Sequence, residues 1–491
     1  MKINNSSNTS QAFWIALGQF IALCLTIGST MILTRYMDKF NYGTYRQVFY
    51  VYTTLLSVFT LGLPKSYGYF LPRMSKEEGK DFVNKLTRIF ILLGAVFSLI
   101  LFIGAPIIAG ILKNQELLFA LRIFSPVPIF LMPTLGLEAI YATYRETHMA
   151  AIYSIVTRIL LFICVTIPAF LFSISYREVV LGFVLSAFLN FILALYLKNR
   201  PFRKVTKVKT SVTVTEIMIF CLPLMGAGIF NILINSTDQF FISRYFGTET
   251  FAEYSNGAME LPFIGMIVGA CSTVLLPVYS SLSKNKCLSH DDSEKIVNIW
   301  NNVLCKTVML IFPLIIYCIV YSDEVMVVLY GKQYLVSGKY FFIMLFNNFF
   351  SVISCYPLLL ALNKAKEYSL AYLFNFVLLA FFEYVVIRLF STVEAVCVVS
   401  VLCLCLRVII FMQIIAHELK VKVMRIIPTK TVVYVVLLSV VLATTLHNLI
   451  YIDSYLVSII VTLPIFFVAL LGLSKPLKLD YLSIVKPLLK K

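Results

Sequence analysis

The sequence predicts an all-α polytopic membrane protein, and three observations carry that prediction. Of 491 residues, 60% are hydrophobic and only 13% are charged, with a mean hydropathy of +0.90; soluble domains carry about 25% charged residues and less than half apolar ones. The apolar residues fall into about fourteen stretches, most of them near or above the roughly 20 residues that cross the hydrocarbon core. The basic residues cluster between those stretches, and unevenly.

In chain order the stretches are 12–34, 45–70, 86–112, 118–144, 149–174, 179–197, 216–243, 253–283, 296–322, 338–362, 368–391, 394–418, 430–449 and 454–473. Several are long enough to tilt. The polar opening "MKINNSSNTSQ" precedes an apolar run too long for a signal-peptide core and without a small-x-small cleavage site, so it reads as a retained first span. Ten of the eleven cysteines fall within spans and no CxxC occurs, which suits small apolar filler rather than a disulfide framework or a metal site.

The net charge of +17 has a topological reading. Assigned to alternate sides of the spans, 27 basic residues fall on one face and 10 on the other, with Lys65, Arg158, Lys306 and Arg407 inside spans. The positive-inside rule then puts both termini in the cytoplasm, which requires an even span count. The longest connection, "KNRPFRKVTKVKTSVTVT" (198–215), is basic and strand-like in composition, and suits the anionic inner leaflet. No loop has room for a soluble catalytic domain. The sequence lacks Walker A, HExxH and GxSxG motifs, so no enzyme and no cofactor is expected.

The segments after spans one and seven match without a gap. "TRYMDKFNYGTY" (34–45) lies over "SRYFGTETFAEY" (243–254), pairing Arg35 with Arg244, Tyr36 with Tyr245 and Tyr45 with Tyr254 at an offset of 209. "ATYRETHMA" (142–150) lies similarly over "ALNKAKEYS" (361–369). The predicted organisation is a six-helix lobe at 1–197, a basic linker at 198–215, a second six-helix lobe at 216–418, and two further helices with a basic tail at 419–491. Six spans separate the copies, so the lobes are parallel repeats.

"LTRYMDKFNYGTYRQVFYVYTTLLSVFTLGLP" (33–64), "STDQFFISRYFGTETFAEYSNGAMELP" (236–262) and "LYGKQYLVSGKYFFIML" (329–345) together resemble the polysaccharide-export (O-antigen and capsule repeat-unit) flippases of the multidrug/oligosaccharidyl-lipid/polysaccharide exporter superfamily. The resemblance implies two six-helix lobes in a V around a cavity lined by spans one, two, seven and eight. It also implies a lipid-linked oligosaccharide as substrate in the bacterial inner membrane, with membrane lipids and polysaccharide-assembly proteins as partners. Fourteen spans are shared with lipid II flippases, so that substrate stays open, as does export of small amphiphiles driven by a coupled cation.

The polar residues within spans are the candidate site. A lipid-linked sugar needs a hydrated route with cations for its phosphates and amides or hydroxyls for its glycan. Asn231, Asn235 and Asp238 fall on one helical face of span seven. Span two carries Arg46, Tyr50, Thr53, Ser57 and Thr60; span one has Gln19, Thr26 and Thr30; span eight has Asn256 and Glu260. Arg46, Lys65, Arg158, Asn231, Asn235, Lys306 and Arg407 are the candidate substrate-binding residues, and Asp238 and Glu138 the candidate ion-coupling carboxylates. Competing readings are interhelical hydrogen bonding for the neutral groups, ion pairs Arg158–Glu138, Arg407–Glu383 and Asp238–Arg244, and snorkelling for Lys65 and Lys306.

Overall fold

The computed structural model describes residues 8–171, 175–203, 205–206, 208–283, 289–474, 479 and 481. Lys204, Lys207, Cys287 and the basic tail from 482 onward lie outside the described residues. Among the described residues the secondary structure is helical without strands, and the chain divides into two compact units, Met1–Ala252 and Glu253–Lys491.

The first unit contains α1 (Asn8–Tyr36), α2 (Lys39–Phe59), α3 (Pro64–Phe70), α4 (Lys76–Ile111), α5 (Glu116–Phe124), α6 (Val127–Leu131), α7 (Leu137–Thr143), α8 (Thr147–Leu171), α9 (Tyr176–Asn199) and α10 (Val214–Phe246), and α11 (Thr248–Gly257) crosses the division. The second unit continues with α12 (Pro262–Leu282), α13 (His290–Val320), α14 (Ser322–Tyr330), α15 (Leu335–Met344), α16 (Phe346–Ser351), α17 (Tyr356–Ala361), α18 (Ala365–Leu389), α19 (Val393–Leu419), α20 (Val423–Ile426), α21 (Thr429–Leu449) and α22 (Tyr455–Ser474).

Twelve helical segments among the described residues are long and apolar enough to cross a membrane, or thirteen if α2 and the 64–73 segment count as one span bent by 40°. The count among the described residues is thus close to the expected fourteen. The stretch expected at 45–70 is the bent pair: Leu61 and Gly62 both take positive φ, and Pro64 restarts the helix. The stretch expected at 216–243 lies within the 33-residue α10.

The helix starts repeat. α2 and α11 begin 209 residues apart, at Lys39 and Thr248, and α7 and α17 begin 219 apart, at Leu137 and Tyr356. Arg145 and Asn363 take positive φ in matching turns. The fourth and tenth spans are each broken in the middle. In the first unit the break follows Pro133, with Gly136 at φ 81°.

The 198–215 connection forms no strand among its described residues. It lies along α4, because Lys80 donates to the Val205 carbonyl at 2.7 Å, Lys85 to the Val212 carbonyl at 2.8 Å, and the Thr210 amide to Asp81 at 3.0 Å. Thr213 and Glu216 then form the capping box that starts α10.

A Cβ at Gly136 would overlap the Tyr67 ring, and its left-handed backbone disfavours any side chain. Gly136→Ala is therefore expected to cost about 2 kcal/mol or more. Gly68→Ala, where a Cβ meets nothing within 4 Å, stays neutral or gains up to about 1 kcal/mol. Thermal unfolding of the purified variants in detergent checks both.

Candidate functional site

The first unit lines an open cavity of about 960 Å³, at the upper end of the roughly 300–1,000 Å³ of ordinary ligand pockets. Each wall has a local reason to be polar. On α1, Thr26 and Thr30 donate to carbonyls one turn back and remain compatible with the helix. On α2, Arg46, Tyr50 and Thr53 recur every three or four residues and so share one face. On α8, Ser154, Thr157 and Arg158 do the same. Asn190 of α9 accepts from the Tyr153 hydroxyl at 2.6 Å. The fourth span contributes its break, Leu131 and 134–139, which exposes Thr134 and Glu138. Lys65 enters from the first turn of α3, and Gln239 from α10.

Three cations, Arg46, Lys65 and Arg158, thus meet one carboxylate, Glu138, in a single chamber. Ser154 donates to Glu138 at 3.2 Å. Arg158 and Glu138 share the chamber without an ion pair within 4.0 Å, and among the described residues Lys65 and Arg158 carry no ion pair at that distance. The wall therefore carries formal positive charge in excess, and Lys65 and Arg158 present theirs without an ion pair among the described residues. Arginine can meet a phosphate through two parallel N–H bonds.

One side of the unit is closed by a buried polar network. Asn114 donates to Thr44 at 2.9 Å and to Gln47 at 2.6 Å, and Gln47 donates to Ser243 at 2.8 Å. Tyr50 donates to the Ser236 carbonyl at 3.3 Å, and the Thr54 and Ser236 hydroxyls meet at 2.9 Å. These contacts zip α2 to α10.

The remaining sequence candidates lie elsewhere. Asn231 and Asn235 are exposed on α10 and Asp238 is buried; none of the three lines this cavity. At 100° per residue, Ser236, Gln239 and Ser243 sit about 100° around the helix from that strip, and theirs is the face that meets α2 and the cavity. Arg244, the alternative partner for Asp238, donates to the Gly110 carbonyl at 3.3 Å. Lys306 is exposed on α13 in the second unit. Arg407 is buried in that unit, 8% exposed. It donates to Asn375 at 3.4 Å and stands 4.4 Å from the Tyr372 ring centroid. Its expected partner Glu383 lies eight residues beyond Asn375 on α18, about 12 Å along the axis. Asn256 and Glu260 belong to the second unit.

Sequence reasoning missed Thr134, Ser154, Thr157, Asn190 and Gln239. The Ser154–Thr157–Arg158 spacing was a readable signal, and so was Pro133 with Gly136 inside an apolar run. The lone amides gave none.

This fold is that of a known class of membrane transporter. The chain matches the lipid II flippase MurJ in its inward closed conformation with a TM-score of 0.73 and 16% identity, covering 94% of this chain and 99% of that one. A MOP superfamily transporter from Pyrococcus furiosus with a binding pocket of reverse polarity matches with a TM-score of 0.58 and 12% identity over 83% and 94% of the two chains. The Vibrio cholerae MATE transporter VcmN in its bent form matches at 0.54 and 12% over 83% and 97%. The profile described as polysaccharide biosynthesis protein matches residues 32–339, more than half of the sequence, and the chain belongs to that family. No curated protein sequence matches it.

The exposed cation of the chamber, Arg158, and the buried cation of the second unit, Arg407, separate by stability. Arg158→Met is expected to change unfolding free energy by no more than about 0.5 kcal/mol. Arg407→Met, which removes a desolvated cation from an aromatic face, is expected to lose about 2 kcal/mol. Denaturation in detergent distinguishes them.

Proposed function

We propose that the chain is a flippase that moves a lipid-linked oligosaccharide repeat unit, carried on polyprenyl pyrophosphate, across the bacterial inner membrane by alternating access. The observation that carries this reading is the chamber with Arg46, Lys65 and Arg158 against the single carboxylate of Glu138. The cations hold the pyrophosphate, and the amides and hydroxyls around them meet the sugars. Glu138 is the coupling carboxylate of this scheme. Asp238, Asn231, Asn235, Lys306 and Arg407 act outside this chamber.

Membership of a polysaccharide biosynthesis family supports the substrate class. The distribution of basic residues supports cytoplasmic termini. A lipid II-type substrate is the second reading, favoured by the fold shared with the lipid II flippase MurJ over 94% of the chain. A drug-cation exporter is disfavoured, because the chamber would repel its cargo.

In cells that rely on this chain for surface polysaccharide, Lys65→Glu with Arg158→Glu is expected to lower that polysaccharide at least tenfold while the amount of protein in the membrane stays constant. Immunoblotting of polysaccharide and of membrane fractions checks it; normal polysaccharide would contradict the assignment.

A further inference from the structure

Lys198 reads from the sequence as a loop cation on the cytoplasmic side, but its side chain is buried, 2% exposed. Its ammonium donates to the Leu135 carbonyl at 2.7 Å and to the Tyr67 hydroxyl at 3.3 Å. It also stands 5.0 Å from the Tyr67 ring centroid and 6.0 Å from that of Phe90. Burying an ammonium is costly unless it is paired or hydrogen-bonded, so its placement needs a reason.

The reason lies in the broken fourth span. In an unbroken helix the Leu135 carbonyl would accept from the amide four residues on. Here Leu135 has ψ 146° and Gly136 φ 81°, so the carbonyl leaves the helical ladder. A carbonyl released from the ladder needs another donor wherever the protein covers it. Lys198, projecting from the end of α9, supplies it. A second tie, from the Tyr141 hydroxyl to the Leu197 carbonyl at 2.9 Å, anchors α7 to the same helix end.

The second unit offers an internal comparison. At the register of Leu135, 219 residues on, stands Ser354, whose hydroxyl meets that of Ser272 at 2.6 Å. At the register of Lys198, taken from the starts of α9 and α19, stands fully buried Ile415. The lysine is thus particular to the unit that holds the large cavity, and Leu135, Gly136 and Glu138 form part of that cavity's wall.

We propose that Lys198 is a positioning residue: its ammonium, bound to the Leu135 carbonyl, holds the fourth span broken so that residues 134–138 face the chamber. The consequence for substrate rests on the flippase reading; the positioning itself does not.

The test compares wild type, Lys198→Met and Lys198→Arg in lipid nanodiscs by hydrogen exchange and by binding of polyprenyl pyrophosphate. Lys198→Met is expected to speed exchange at 135–139 about tenfold, with the rest of the unit unchanged, and to weaken binding about tenfold. Lys198→Arg, which keeps a donor, restores both to within about threefold. Unchanged exchange at 135–139, or a uniform rise across the unit, would overturn the proposal. If wild type itself fails to bind polyprenyl pyrophosphate, the flippase reading falls while the exchange comparison still decides the role of Lys198. Should Lys198→Met not accumulate, Lys198→Gln, a shorter neutral donor, takes its place with a two- to threefold local rise expected.

Discussion

A backbone carbonyl released from its helical ladder must find another donor, and the chamber of this protein depends on one that does. Pro133 and Gly136 interrupt the fourth span, and the interruption turns Thr134 and Glu138 towards open space. An unbroken helix would carry the same residues around its own axis and would offer the chamber no such wall. The donor comes from Lys198, and the space for its partner Tyr67 comes from the missing side chain at Gly136.

The polar groups on the facing helices follow the same economy of satisfied donors. Gln47, Asn114 and Ser243 bond one another and bury without loss, whereas Arg158 and Lys65 keep their donors for the chamber. Buried networks of the first kind define packing; open cations of the second kind are those we propose hold the substrate. Arg407 falls in the first group, since Asn375 and the Tyr372 ring occupy it.

The sequence carried the architecture well and the site only in part. Composition and stretch length identify helices because a bilayer demands long apolar runs, and the 209-residue offset reappears in the starts of α2 and α11. The 198–215 segment, strand-like only in composition, is tied at its described residues to Lys80, Asp81 and Lys85 of α4, partners its own composition does not announce. The Asn231–Asn235–Asp238 strip was read correctly as one helical face, but which face meets the chamber is decided by packing, here through Ser236, Gln239 and Ser243. Lys198 was misjudged because its position next to a basic loop hides a tertiary partner more than sixty residues away.

The central claim is that the chamber recognises a pyrophosphate attached to a lipid. Binding of polyprenyl pyrophosphate and of the matching neutral polyprenol to the purified protein in nanodiscs, measured side by side, tests it most directly. The account predicts that the pyrophosphate lipid binds at least tenfold more tightly, with the difference shrinking in high salt. Equal affinity for the two lipids would contradict it.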